Sequence, residues 1–191
     1  METSNYELKR QSREHLTGNW GLTIGTFLVV MLITSTASAI PIVNIFVSAA
    51  CTVGLIIFSL NLLKDNAQFE DAFKAFPDIL RLTGASFLIG LFAFLWSLLF
   101  LIPGIIKAYS YSMTLYIMSE DLDIYIMDAI EKSRHMMNGF KMKLFLLELS
   151  FIGWGILCLF TLGIGFLWLV PYVSVAKAAF YNDIKTINGV A

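Results

Sequence analysis

The chain has 191 residues, of which 58% are hydrophobic, 14% aromatic and only 14% charged, whereas a soluble domain is about 45–50% apolar with glycine included and about 25% charged. That balance excludes an ordinary soluble globular domain and makes lipid the expected solvent. Thirteen basic against 14 acidic residues leave a net charge of −1, so no cationic surplus points to nucleic acid as a partner.

The first element is polar. Ser4-Asn5-Tyr6-Glu7 fits a capping box and predicts a helix over about 4–17. After it comes the first of three charge-poor runs. Crossing a hydrocarbon layer of about 30 Å takes about 20 helical residues, and each run is long enough for two such spans. The first, 20–63, divides at Ala39-Ile40-Pro41-Ile42-Val43-Asn44. A secretory leader is the rival reading here: Lys9, Arg10 and Arg13 precede an apolar stretch from Leu22 to Ile33 and the small residues Ala37-Ser38-Ala39. Two observations disfavour it. The polar segment is long and holds Glu2, Glu7 and Glu14, and cleavage would leave an odd number of spans.

Next, Phe69, Ala72, Phe73 and Phe76 fall at i, i+3, i+4 and i+7 with Glu70, Asp71 and Lys74 opposite, which predicts a short amphipathic helix over about 67–77. The second apolar run, 79–118, divides at Pro103-Gly104, a pair that marks turns. Its second half carries Lys107 and the hydroxyls of Tyr109, Ser110, Tyr111, Ser112, Thr114 and Tyr116. Such a helix is expected to pack inside a bundle, with a hydroxyl-lined pathway as the functional alternative. Asp123 is placed to cap a third amphipathic helix over about 123–138, and the last apolar run, 143–182, divides at Thr161-Leu162-Gly163-Ile164-Gly165.

The expected fold is therefore all-α: a polytopic membrane protein of six transmembrane helices in three hairpins, each preceded by a short amphipathic helix, forming a single domain over 1–191. Ser12-Arg13 to Gly18 and Ser133-Arg134 to Gly139 share one spacing, which suggests a repeated helix-plus-hairpin unit. Six spans put the termini and the segments around 64–81 and 119–143 on one side. That side holds Lys9, Arg10, Arg13, Lys64, Lys74, Arg81, Lys132, Arg134, Lys141, Lys143 and Lys185. Because cytoplasmic loops carry the excess of Lys and Arg, both termini are predicted to be cytoplasmic.

The sharpest chemical feature is a pair of ionisable residues inside the third hairpin. Glu148 and Lys177 stand nearly equidistant from Leu162, about 21 Å along each helix at 1.5 Å per residue, so an antiparallel hairpin brings them level. A lone charge in hydrocarbon is costly and normally finds a partner or a water-filled cavity. The pair is either a substrate, ion or proton site, or an ion pair that locks two helices, with Lys177 snorkelling as a further structural option. With Lys107, Tyr109 and Tyr111 it makes up the candidate intramembrane polar site. Lys107 sits close enough to its turn to reach headgroups.

Gly21 and Gly25, Ser86 and Gly90, and Ser174 and Ala178 are spaced as close-packing seams. Trp20, Trp96, Trp154 and Trp168 suit packing and interface positions. Cys51 and Cys158 lie in apolar runs, and His15 and His135 lack neighbouring ligands, so no metal is expected. No H-E-x-x-H, G-x-S-x-G or G-x-x-x-x-G-K is present, and Glu148 is the one carboxylate within the expected spans. No catalytic residue, enzymatic activity or cofactor is expected.

The stretch Leu95-Trp96-Ser97-Leu98-Leu99-Phe100-Leu101-Ile102-Pro103-Gly104-Ile105-Ile106-Lys107-Ala108-Tyr109-Ser110-Tyr111-Ser112-Met113 resembles an uncharacterised family of bacterial integral membrane proteins, domain of unknown function 975. The similarity extends to Met136-Met137-Asn138-Gly139 and to Leu149-Ser150-Phe151-Ile152-Gly153-Trp154, Leu162-Gly163-Ile164-Gly165 and Pro171-Tyr172. It implies a six-span protein of a bacterial cytoplasmic membrane, and it places Pro103, Gly104, Lys107, Gly139 and Trp154 in recognisable motifs without assigning a chemistry. The role expected is a non-enzymatic accessory or interaction protein that binds membrane lipids, a membrane-protein partner or a second copy of itself. A small transporter or channel using Glu148 and Lys177 is the alternative, and a lipid-modifying enzyme would need a polar cluster assembled by folding.

Overall fold

The computed structural model describes residues 3–99, 101–121 and 123–189, and all regular structure among them is helical. The helices are α1 (Asn5–Leu16), α2 (Trp20–Ala37), α3 (Pro41–Leu62), α4 (Ile79–Leu99), α5 (Leu101–Tyr111), α6 (Thr114–Glu120), α7 (Ile126–Met136), α8 (Lys141–Phe160) and α9 (Phe166–Ile187). Four stretches among the described residues are long and apolar enough to cross a membrane: Trp20–Ala37, Pro41–Leu62, Phe69–Leu98 and Lys141–Phe160.

Helix α3 is the central post, packing against α2, α4, α6 and α9. Val53, Ile56 and Leu60 on α3 share a buried cluster with Met113 and Ile117, and with Ala176 and Phe180 on α9. The outer surface is also apolar. Leu80, Phe87, Phe94 and Leu98 on α4, and Ile152, Leu159 and Phe160 on α8, are exposed, as expected where lipid rather than water covers the molecule.

Helix α1 starts as its cap predicts, with the Ser4 hydroxyl accepting from the Glu7 amide at 3.2 Å. The return half of the capping box is replaced, because the Glu7 carboxylate turns instead to Arg10 at 2.8 Å. Gly18 and Gly139 both adopt left-handed φ values, +92° and +86°. Each lies in the turn between a polar helix and the long helix that follows, so the shared spacing of the two segments corresponds to one local geometry.

Three expectations need correction. The segment 67–77 is not an α-helix but two 3-10 turns, Phe69–Phe73 and Phe76–Asp78. With three residues per turn, Asp71 swings off the polar face and is buried, where it accepts from the Gln68 amide at 2.9 Å and pairs with Lys74 at 2.5 Å. Asp123 does not cap α7, which begins three residues later with Tyr125 at its N-cap. Its backbone amide instead donates to the Asp121 side chain in the preceding turn. Pro103 and Gly104 lie inside the first turns of α5 rather than between helices, a position that tolerates proline because the first amides of a helix lack intrahelical partners.

The hydroxyl-rich fourth segment is divided as well. Its helix stops at Tyr111 and resumes at Thr114. Ser133 of α7 reaches this break, accepting from the Met113 amide at 3.2 Å and donating to the Ser110 carbonyl at 2.8 Å. Backbone groups released in an apolar interior need such partners, and the buried Ser133 supplies both.

Ion pairs gather where the termini lie. Asp183 takes a hydrogen bond from the Thr3 hydroxyl and pairs with Lys143 at 2.8 Å. Glu120 accepts from Tyr181 at 2.7 Å and from Lys185 at 2.8 Å. Burial pushes the Glu120 carboxyl up, but the Lys185 and Tyr181 bonds outweigh it and hold the group below its ordinary value. Arg81 donates to the Asp121 and Ile124 carbonyls past the end of α6, where a cation also suits the helix dipole.

Close packing uses different glycines from those the spacing suggests. A methyl on Gly21, Gly25 or Gly90 would meet nothing within 4 Å. At Gly54 it would overlap the Ala72 backbone carbonyl, and at Gly104 it would press on the Ser97 backbone at 2.6 Å. Gly54→Ala should therefore destabilise the purified protein by about 1–3 kcal/mol, as overpacking does, while Gly21→Ala and Gly25→Ala leave thermal unfolding nearly unchanged. Equal melting shifts for the three would contradict this packing.

Candidate functional site

The link between α8 and α9 is built to turn within five residues. Thr161 Oγ1 donates to the Cys158 carbonyl at 2.8 Å and accepts from the Gly165 amide at 2.9 Å. Leu162 and Gly163 take left-handed φ values of +54° and +86°. The two helices thus run back alongside each other, and residues equidistant from the turn come level.

Glu148 on α8 and Lys177 on α9 meet accordingly, with Oε1 and Nζ 2.6 Å apart. The second carboxylate oxygen is also occupied, because the Tyr109 hydroxyl of α5 donates to Glu148 Oε2 at 2.6 Å. One carboxylate therefore joins three helices. The side chains of Glu148 and Lys177 remain about one-third accessible, at 32% and 34%, so the pair is reachable from a cavity rather than sealed.

That cavity holds about 310 Å³ and is lined by Glu148, Lys177, Thr52, Ser59, Ser112 and Ser174, among others. The Ser59 hydroxyl is buried within the protein and has no hydrogen-bond partner. A second, larger groove of about 720 Å³ opens between α2, α3 and the first half of α9. Its lining is mostly apolar, including Phe27, Met31, Leu167 and Val170, and it shares Thr52 and Leu55 with the polar cavity. The two spaces adjoin there. Pro171 also faces the groove; lacking an amide, it cannot satisfy the Leu167 carbonyl one turn earlier.

The remaining sequence-predicted residues lie elsewhere. The Lys107 ammonium sits over the Trp96 ring, 4.5 Å from its centroid, an arrangement that offsets part of the loss of water by cation–π attraction. Tyr111 is buried and packs on Phe92, ring centroids 6.2 Å apart. Of the five candidate polar residues, only Glu148, Lys177 and Tyr109 come together. Gly139 turns the chain between α7 and α8, Trp154 is exposed, and Pro171 is buried inside α9. Ser59 was not among the expected residues, although Ser48, Thr52 and Ser59 recur at helical spacing along α3 and the stripe is visible in the sequence.

Residues 98–188 match the model of the family described as Protein of unknown function (DUF975). Over that part, just under half of its length, the chain is similar to that family. The DUF975 region runs from the end of α4 through α9 and so contains Tyr109, Glu148 and Lys177, whereas Thr52 and Ser59 come from outside it. No curated protein and no solved structure matches the chain.

Removing one member of a shielded ion pair strands the other, whereas removing both removes the problem. Glu148→Gln and Lys177→Met should each lower the melting temperature in detergent, and the double variant should be milder than their sum by a coupling of about 0.5–3 kcal/mol. Strict additivity would show that the pair contributes nothing as a pair.

Proposed function

We propose that the protein is a six-span integral membrane protein of a bacterial cytoplasmic membrane, with both termini cytoplasmic, whose role is to bind lipid or a membrane partner rather than to catalyse a reaction. Four helical stretches meet the length and hydropathy of a span unaided. The reading completes the set with α5 and α6, whose internal break is stitched by Ser133, and with α9, whose one mid-helix cation is matched by Glu148. The eleven basic residues grouped with the termini support the orientation.

The observation that carries the functional reading is the open groove between α2, α3 and α9. It is large and mainly apolar, and it is bounded by helix faces that would meet lipid. The charged pair, by contrast, is occupied by its own partners. A second reading as a transporter is supported by the polar cavity at the pair, which adjoins the groove at Thr52 and Leu55 and presents the unpartnered Ser59 hydroxyl.

The test is native mass spectrometry of the full chain released from mild detergent, combined with flux assays in proteoliposomes. Stoichiometric phospholipid, or a partner protein, is expected to remain bound after the micelle is stripped. A chain that keeps neither, yet drives a solute flux abolished by Glu148→Gln, would replace this reading with transport. For topology, single cysteines placed at Ala39 and Ile164 should react with a membrane-impermeant maleimide in intact cells. One at Asn188 should not, and the reverse pattern would overturn the orientation.

A further inference from the structure

A different groove, of about 560 Å³, follows the crevice between α8 and α9. Most of its length is apolar, formed by Trp154, Leu157, Trp168 and Leu169. Trp154 and Trp168 are 60% and 48% exposed, so they cover the crevice without filling it. The Thr161 hydroxyl, at the turn end of the crevice, is already engaged in the α8–α9 turn. Beyond the indole N–H groups of Trp154 and Trp168, the described side chains of that stretch offer little hydrogen bonding to a peptide backbone or a sugar.

One end is cationic. Lys9 and Arg13, one turn apart on α1, line the crevice where it passes α1 and Trp20. Helix α1 is held there by the Tyr172 hydroxyl, which donates to the Lys9 carbonyl at 3.2 Å, and by the Lys9 ammonium, 4.5 Å from the Phe151 ring centroid. The acids of α1 are turned away, since Glu7 and Glu14 both pair with Arg10, at 2.8 and 3.5 Å. Among the described ion pairs neither Lys9 nor Arg13 has a carboxylate. Burial and the nearby Arg13 charge both depress the Lys9 ammonium below its ordinary value, as a partly buried cation beside a second one does.

A pair of cations at one end of an otherwise apolar crevice between helices calls for an amphiphile with an anionic head. We propose that this crevice is a binding site for one anionic phospholipid, its phosphate held between Lys9 and Arg13 and an acyl chain laid along Trp20, Trp168 and Trp154. The inference rests on the lipid-binding reading above and adds the lipid class and the site. Free phosphate shares the head chemistry but leaves the apolar length of the crevice uncovered.

The test is competition between phosphatidylglycerol and phosphatidylcholine of identical chains for the full protein, read by native mass spectrometry. The wild type should prefer the anionic lipid by roughly 25-fold, about fivefold for each cation. Lys9→Gln with Arg13→Gln should abolish the preference while phosphatidylcholine still binds, Lys9→Arg should keep it, and inorganic phosphate should not displace the lipid. Because Lys9 also packs on Phe151, the wild type provides a check free of any folding defect: raising the ionic strength should erode its preference. Lipid retained without preference, or a preference unchanged in the folded double variant or by salt, overturns this site and leaves the broader reading standing. A protein that retains no lipid overturns both.

Discussion

A charge inside an apolar bundle must be met by another, and the contact among Glu148, Lys177 and Tyr109 is where this chain meets that demand. Low-dielectric surroundings strengthen the attraction between the two ions, yet the loss of hydration on each is greater still unless remaining lone pairs are also engaged. Tyr109 engages the second oxygen, so the carboxylate is satisfied from both sides. The registry of α8 against α9 and the position of α5 beside them follow from that one group. A slip of a single helical turn would separate the partners by about 5.4 Å and leave both charges unmatched.

The same demand explains the broken fourth segment and the distribution of polar contacts. The Met113 amide and the Ser110 carbonyl, freed at the break, lie in an apolar interior, and Ser133 is inserted where a solvent molecule would serve in a soluble protein. The remaining ion pairs, Asp183 with Lys143 and Glu120 with Lys185, collect where the chain ends lie. The molecule is polarised as a result: one end carries nearly all the charge, and the α2–α3 and α8–α9 turns at the other are apolar. The two large grooves differ accordingly, since the one between α2, α3 and α9 opens toward the apolar turns while the α8–α9 crevice reaches the cationic end.

Much of this was legible in the sequence. Long charge-free runs locate the helices within a few residues, and the symmetry of Glu148 and Lys177 about the Thr161–Gly165 turn places them level before any coordinates exist. Ser4 begins α1 as its spacing predicts, and Gly18 and Gly139 take the left-handed turns that their shared context implies. The failures have one cause. Asp71, Asp123 and Pro103 were read from local rules, and each was decided by a neighbour distant in sequence or by the choice between 3-10 and α geometry, which differ by little in local energy. Glycine spacing misled for the same reason. A seam exists only where another backbone arrives, and Ala72 arrives at Gly54 rather than at Gly21.

The sequence by itself determined the apolar character, the helical class and the matching level of Glu148 and Lys177, because hydropathy, helical rise and turn chemistry act over a few residues and do not depend on the rest of the chain. Only the tertiary structure decided that Tyr109 and not Lys107 joins the pair, that Ser133 closes the break in the fourth segment, and that Lys9 and Arg13 face an apolar crevice without an acid beside them. Those outcomes depend on which helices become neighbours. That choice comes from satisfying every buried charge and backbone group at once, a condition on the whole bundle that no local window contains.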